Sequence, residues 1–278
     1  MSVFIIAEAG SNHDGSLDQA MCLINVAAEA GADAVKFQLF RADDLYPKGT
    51  PEWESIRPLE LPLEWLPALA TRCESLGIEF MCSAFDEEMV DAVDLFVKRH
   101  KVAGLEITDL SLLRHIASKG KPVILSSGAA TFAQIMMANL EITEECEATW
   151  LHCTTSYPAP AEEANLKVID GCHFETTEQH WGIFAGWTMG LSDHTLDPIV
   201  APVMAVALGA TVIEKHFTLS RSLPGPDHAY ALEPAELREM VRCVRLAEQM
   251  LGDGVKRIQP SEEPYRRWQH KDGGLRGG

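Results

Sequence analysis

The sequence predicts a single-domain α/β fold, a (β/α)8 TIM barrel, on three observations. Eight short β-rich runs alternate with longer amphipathic stretches. No G-x-G-x-x-G follows the first run, and 278 residues is an ordinary length for such a barrel. An open doubly wound sheet is the alternative, because alternation alone does not show closure; the count of eight favours the barrel.

The runs are FIIAEAG (4–10), AVKFQLF (34–40), IEFMCSAF (78–85), KVAGLEIT (101–108), PVILSSG (122–128), ATWLHCTT (148–155), WTMGLSDH (187–194) and TVIEKHF (211–217). Stretches such as SLDQAMCLINVAAEAG and EEMVDAVDLFVKRH between them space apolar residues by three and four, which predicts helices. Gly31 and Gly77 stand where a left-handed helix C-cap is needed. A last helix, EPAELREMVRCVRLAEQMLG (233–252), opens with acidic residues and stops at Gly252. Two insertions break the rhythm: 41–61 after the second strand and 171–186 after a sixth helical stretch. The barrel is expected over residues 1–254, with a polar, glycine-rich and flexible tail over 255–278.

A hydrophobic content of 46% suffices for a large core, whereas 41 acidic residues against 23 basic ones give a formal charge of −18. Such a surface repels phosphate backbones and anionic lipids, so neither nucleic acid nor membrane is expected as a partner. No apolar run approaches the roughly 18 residues of a membrane span. The N-terminal MSVFIIAEAGSNHDG lacks a basic leader and reads as a first strand. Seven cysteines without a C-x-x-C pair suit a reducing, cytoplasmic setting.

Barrel chemistry collects at the C-terminal ends of the strands. The polar residues fall there: Glu8, Lys36 with Gln38, Ser83, Glu106 with Thr108, Ser126 with Ser127, Thr155, Asp193 with His194, and Lys215 with His216. Lys101 instead begins its run. Any one of these has an ordinary explanation as a cap, a turn or a satisfied core group; their joint placement at one end does not.

The strand VIEKHF is the sharpest case. His194 and His216 end neighbouring strands, and two imidazoles completed by water and substrate oxygens suit an octahedral divalent ion such as Mn²⁺, Co²⁺ or Mg²⁺. Zinc would want a third protein ligand. Glu214 or Lys215 is left to face the barrel or its helices. Lys36, Lys101 and Lys121, with Ser83, Ser126 and Thr155, make a basic, hydroxyl-rich pocket for phosphate. Glu8 and Glu106 are carboxylates for acid–base work or for a sugar hydroxyl. Together these point to carbon–carbon bond chemistry on a phosphorylated substrate.

The stretches FIIAEAGSNHDGS, AGADAVKFQLF, LEITDLSLL, GKPVILSSG, LHCTTSYPAPAEEANL, GLSDHTLDP and LGATVIEKHFTLSRSLPGPDHAYALEP run in order from residue 3 to about residue 252. On them the chain resembles the bacterial sialic acid synthases and their pseudaminic and legionaminic acid relatives. The resemblance implies condensation of phosphoenolpyruvate with an N-acetylated amino sugar, giving a nine-carbon 2-keto acid and phosphate. It implies that His194 and His216 hold a divalent ion, Mn²⁺ before Co²⁺ or Mg²⁺, which polarises the sugar aldehyde. It places Glu8 near sugar and metal, Lys36 and Lys101 on phosphoenolpyruvate, and Glu106, Ser126, Thr155, Tyr157 and Asp227 around the pocket, in a homodimer.

Three departures stand out. Gly104 replaces a serine usual in the family, and Thr155 replaces an asparagine or serine. A C-terminal antifreeze-like domain has no counterpart after residue 252, so the sugar is expected to bind weakly. GLEITDLSLL and RSLPGPDHA look closer to the pseudaminic type, whereas His152 looks closer to the sialic type. The alternatives are a barrel that binds sugar or protein without turnover, and a generic metal-dependent aldolase.

Overall fold

The structure is a computed structural model and describes residues 2–170 and 187–268. Eight parallel strands close on themselves in chain order: β1 (Phe4–Gly10), β2 (Ala34–Leu39), β3 (Glu79–Ala84), β4 (His100–Val102), β5 (Val123–Ser126), β6 (Ala148–Cys153), β7 (Thr188–Asp193) and β8 (Val212–His216). Closure is made where β1 pairs with β8, Phe4 opposite Val212 and Glu8 opposite His216.

Alternation along each strand sorts its residues between two environments. Ile5, Ala7, Val35, Phe37, Leu125 and Ile213 point outward into the main core beneath the helices. Their neighbours Ile6, Ala34, Met81, Ile124, Leu151 and Val212 point inward and form a separate apolar floor across the barrel. Each fully buried Leu or Ile contributes roughly 1.5–3 kcal/mol. Two residues further along the same strands come Glu8, Lys36, Ser83, Ser126 and Glu214, all buried and on the same face. The interior thus changes from hydrocarbon to charge within one layer.

Around the strands lie α1 (Leu17–Ala30), α2 (Ala42–Leu45), α3 (Pro51–Ile56), α4 (Leu66–Leu76), α5 (Glu87–Asp94), α6 (Leu110–Ala117), α7 (Phe132–Thr143), α8 (Val200–Ala207) and α9 (Pro234–Leu251). Local signals fix their ends. Ser16, Asp86, Asp109 and Thr131 cap α1, α5, α6 and α7 with side-chain acceptors, and Gly31 and Gly77 end α1 and α4 in the left-handed conformation. The insertion at 41–61 carries α2 and α3; the one at 171–186 lies outside the described residues. Pro260–Trp268 forms an exposed 3-10 helix.

Three expectations are corrected. The strand foreseen over 101–108 spans only His100–Val102, because the chain turns at Gly104 and Glu106–Thr108 forms a 3-10 turn leading to the Asp109 cap. No α-helix follows β6 as far as residue 170: Pro158 and Pro160 lack backbone donors, and only 3-10 turns form at Ala161–Glu163 and Leu166–Asp170. Lys121 lies before β5, at the opposite end from the strand C-termini, with its ammonium on Asp94 and the Val97 carbonyl. Among the described residues no helix is long and apolar enough to cross a membrane.

Candidate active site

The strand C-termini surround a cavity of about 800 Å³. At its base Lys36 Nζ stands 2.9 Å from Glu8 Oε1 and 3.7 Å from Glu214 Oε1, and Lys101 Nζ stands 3.6 Å from the same Glu214 oxygen. Lys36 also donates to the Ser83 hydroxyl at 3.1 Å, and Lys101 to the Ser126 hydroxyl at 2.8 Å and the Val102 carbonyl at 2.9 Å. Register explains the grouping: Glu8 pairs with Lys36, Gln38 with Ser83, and Ser83 with Lys101.

These charges set one another. Burial pushes the Glu8 carboxyl up to about 7 against the pull of Lys36. Burial works against ionised Glu214 too, but Lys101 and Lys36 outweigh it and hold that carboxyl below its usual range. Burial opposes the charge of Lys36, yet Glu214 and Glu8 keep its pKa above the ordinary value, whereas burial brings Lys101 below. With Glu8 poised near neutrality and Glu214 ionised, the two lysines leave the base of the cavity positive within an acidic protein. A buried ion group of this kind holds together only while every partner is present.

Above the base sit the histidines. The His194 and His216 rings are 5.6 Å apart. His194 Nδ1 lies 2.8 Å from the Thr154 carbonyl, which makes Nδ1 the donor and leaves Nε2 with its lone pair. Burial lowers both imidazoles, His216 to about 3, so both are neutral. His216 Nδ1 and Glu8 Oε2 are buried without a hydrogen-bond partner in the protein. Among the described residues no cluster of three or more His, Cys, Asp or Glu is arranged as a cage. This donor set fits an ion that takes two imidazoles and completes its shell with water and ligand oxygens; it does not fit a closed zinc site.

Tyr157 packs on His194 with centroids 4.3 Å apart and meets His216 edge-on at 5.8 Å. Tyr230 donates to Asp227 Oδ1 at 2.6 Å, and Ser11 to Asp227 Oδ2 at 3.3 Å. Gly10, at φ +53°, leaves room for that carboxylate: a Cβ there would lie 3.1 Å from Asp227 Oδ2. Gln38, Glu106, Ser126 and Thr155 also line the cavity, and burial raises the Glu106 carboxyl.

The structure thus brings to one cavity Glu8, Lys36, Gln38, Lys101, Glu106, Ser126, Thr155, Tyr157, Asp227, His194 and His216. Ser83 stands behind Lys36, 1% exposed, and orients that lysine instead of lining the wall. Lys101 belongs to the base although it began its predicted run, since β4 is only three residues long. Asp193 and Lys215 turn away from the cavity and pair at 2.5 Å. Sequence reasoning left open whether Glu214 or Lys215 faces the barrel, which the structure decides for Glu214, and missed Ser192 on the inner face and Tyr230. Glu214 was recoverable, because a residue two before an inward His216 must also face inward.

A family model described as the NeuB family matches residues 23–256. The chain belongs to the NeuB family. Among NeuB-type relatives it is 40% identical to N,N'-diacetyllegionaminic acid synthase of Legionella pneumophila, covering 96% of this chain and 78% of that one. It is 37% identical to pseudaminic acid synthase of Campylobacter jejuni, covering 91% and 76% respectively. The crystal structure of an N-acetylneuraminic acid synthetase from Leptospira borgpetersenii, in complex with citrate, superposes with a TM-score of 0.87 at 32% identity, over 95% of this chain and 90% of that one.

Proposed function

We propose that this NeuB-family barrel is a nonulosonic acid synthase that condenses phosphoenolpyruvate with an N-acetylated amino sugar and releases phosphate. The observation that carries the reading is the buried group Glu8–Lys36–Glu214–Lys101 directly under the neutral pair His194 and His216. A carboxylate and a phosphate on one three-carbon substrate need two fixed cations away from water, and Lys36 and Lys101 are such a pair. Ser126 turns Lys101 toward that substrate, as Ser83 turns Lys36.

In the reaction the methylene carbon of phosphoenolpyruvate bonds to the aldehyde carbon of the open-chain sugar, whose oxygen takes up a proton. Water adds at the adjacent enol carbon, the carbon–oxygen bond to phosphate breaks, and the 2-keto acid forms. Glu8, with its carboxyl near 7, can hold the proton the aldehyde oxygen needs. Asp227 and Tyr157 are available for the sugar's hydroxyl and amide groups. A divalent ion held by His194 and His216, Mn²⁺ first, would supply Lewis-acid polarisation of the aldehyde.

Two relatives that share most of the chain are named N,N'-diacetyllegionaminic acid synthase, which supports a di-N-acetylated hexose as acceptor. Six of the cysteines are free thiols, which supports a cytoplasmic location. The test is phosphate release from phosphoenolpyruvate with Mn²⁺ and a panel of mono- and di-N-acetylated hexoses. Release with an acceptor and none without it is expected; release without any sugar, or none with the panel, would overturn the proposal.

A further inference from the structure

Behind Asp227 lies a second group of polar residues that takes no direct part in the cavity. His228 is 0% exposed, and both its ring nitrogens are engaged. Nδ1 lies 2.6 Å from the Thr218 hydroxyl, while Nε2 lies 2.9 and 3.1 Å from the two oxygens of Asp14. Asp14 is held in turn by Gln19, whose amide donates to Asp14 Oδ2 at 2.6 Å and to the Asn12 carbonyl at 2.7 Å. Because the carboxylate can only accept, Nε2 carries a proton; the Thr218 hydroxyl that meets Nδ1 also reaches the Ser220 carbonyl at 3.2 Å and accepts from the Ser220 N–H at 3.1 Å.

The arrangement is built at a cost to the backbone. Asp14 sits at φ +49°, a region that side chains other than glycine seldom occupy. Gly225 cannot be anything larger, since a Cβ there would lie 2.7 Å from Asp14 Oδ1 and 2.9 Å from the His228 ring. Two separate stretches, 11–16 after β1 and 217–232 after β8, are shaped around this one imidazole. Asn12 adds a third stitch by donating to the Phe217 carbonyl at 2.8 Å.

We infer that Asp14, His228 and Thr218 are positioning residues that clasp the 217–232 loop to the β1 loop and so fix Asp227 over the cavity. The inference rests on the proposed synthase reaction for the ligand that Asp227 meets, but the clasp itself does not. Adjacent side chains divide the work: Asp227 turns to Ser11, Tyr230 and the cavity, while His228 turns to Asp14 and Thr218. The segment SLPGP preceding them contains two prolines and one glycine, and its neighbouring backbone bonds, Leu223 N–H to the Ser220 carbonyl and Ala231 N–H to the His228 carbonyl, are turns within the loop itself. The loop's base is closed by the bridge between Phe217 and Leu232 and by Asn12, Arg221 ties its first turn to Glu233 and Glu236, and near its tip the imidazole and the Ser11 bond to Asp227 hold it to the β1 loop. A loop held at its tip presents a preorganised carboxylate, and preorganisation appears as affinity.

The test uses the full chain and the variants Thr218→Val, Thr218→Ser and Asp14→Asn. Hydrogen–deuterium exchange on the ligand-free proteins comes first. Thr218→Val and Asp14→Asn should speed exchange across 219–231 without changing β1 or β8, and Thr218→Ser, which keeps the hydroxyl, should stay close to the parent. Unchanged exchange in both disruptive variants would overturn the clasp. Steady-state kinetics follow. Thr218→Val should raise the KM for the amino sugar about tenfold, with the KM for phosphoenolpyruvate within about twofold, as the loss of one ordered contact predicts. Equal changes in both constants, or none, would overturn the positioning role. Should the parent protein show no synthase activity while the loop still loosens, the proposed reaction fails and the clasp stands.

Discussion

Glu8 and His216 sit side by side across the seam that closes the barrel, register partners on the first and last strands. The pairing joins a carboxyl poised near neutrality to an imidazole that burial keeps unprotonated. Residues from opposite ends of the chain meet only because the sheet closes, so the site and the fold form together.

Removing either histidine should remove the ion. His194→Ala or His216→Ala is expected to abolish Mn²⁺ binding by isothermal titration while circular dichroism and the melting curve remain those of a folded barrel. Retained Mn²⁺ affinity in both variants would exclude the pair as ligands.

The buried charges predict non-additive mutants. Lys36→Met leaves the Glu8 and Glu214 carboxylates without their shared cation and should cost about 3–5 kcal/mol of stability. Adding Glu8→Gln removes one orphaned charge and should restore part of that loss in denaturant titrations. Two additive losses would mean that the lysine and the carboxylate do not depend on each other. In the same series Lys36→Met should raise the KM for phosphoenolpyruvate more than that for the sugar.

His13 gives a pH signature away from the site. Burial lowers its imidazole from 6.5 to about 4, so between those values the unfolded chain binds the proton more readily than the folded one. Stability is therefore full above 6.5 and declines as pH falls toward 4, by an amount on the order of 3 kcal/mol. His13→Gln should flatten the slope of melting temperature against pH in that window; a slope identical to the parent's would assign the dependence elsewhere.

Gly10 is both a backbone and a spatial requirement. At φ +53° and 3.1 Å from Asp227 Oδ2, an added methyl is strained and crowds the carboxylate. Gly10→Ala should cost about 1–3 kcal/mol in stability and should weaken sugar binding at least as much as phosphoenolpyruvate binding, read as separate KM values.

Much of this was legible because one period governs it. The strands β1, β2, β7 and β8 run within a residue of their expected limits, since alternation, glycine stops and caps agree there. Glu8, Lys36, His194 and His216 followed as strand-end residues. What escaped did so for identifiable reasons. Gly104 and the 3-10 turn after it disguised the end of β4, which made Lys101 look like a first residue when it is a central one. Crossover six was unreadable as a helix because its prolines replace helical bonding with short turns. Glu214 was left undecided although alternation settles it: in the run EKH the residue two before an inward His216 faces inward too, as the pairing of β8 shows. Thr218, His228 and Asp14 could not be joined from sequence at all, since their meeting depends on two loops that touch only after closure.

The hydrocarbon floor of Ile6, Ala34, Met81, Ile124, Leu151 and Val212 makes the cavity a cul-de-sac. Traffic through it is one-ended. Whatever lies against Lys36 and Lys101 has entered from the end where the strand C-termini open, and leaves by the same end. The deeper occupant must therefore be seated before the shallower one covers it and must depart after it, so the order of arrival is written into the plug at the far end.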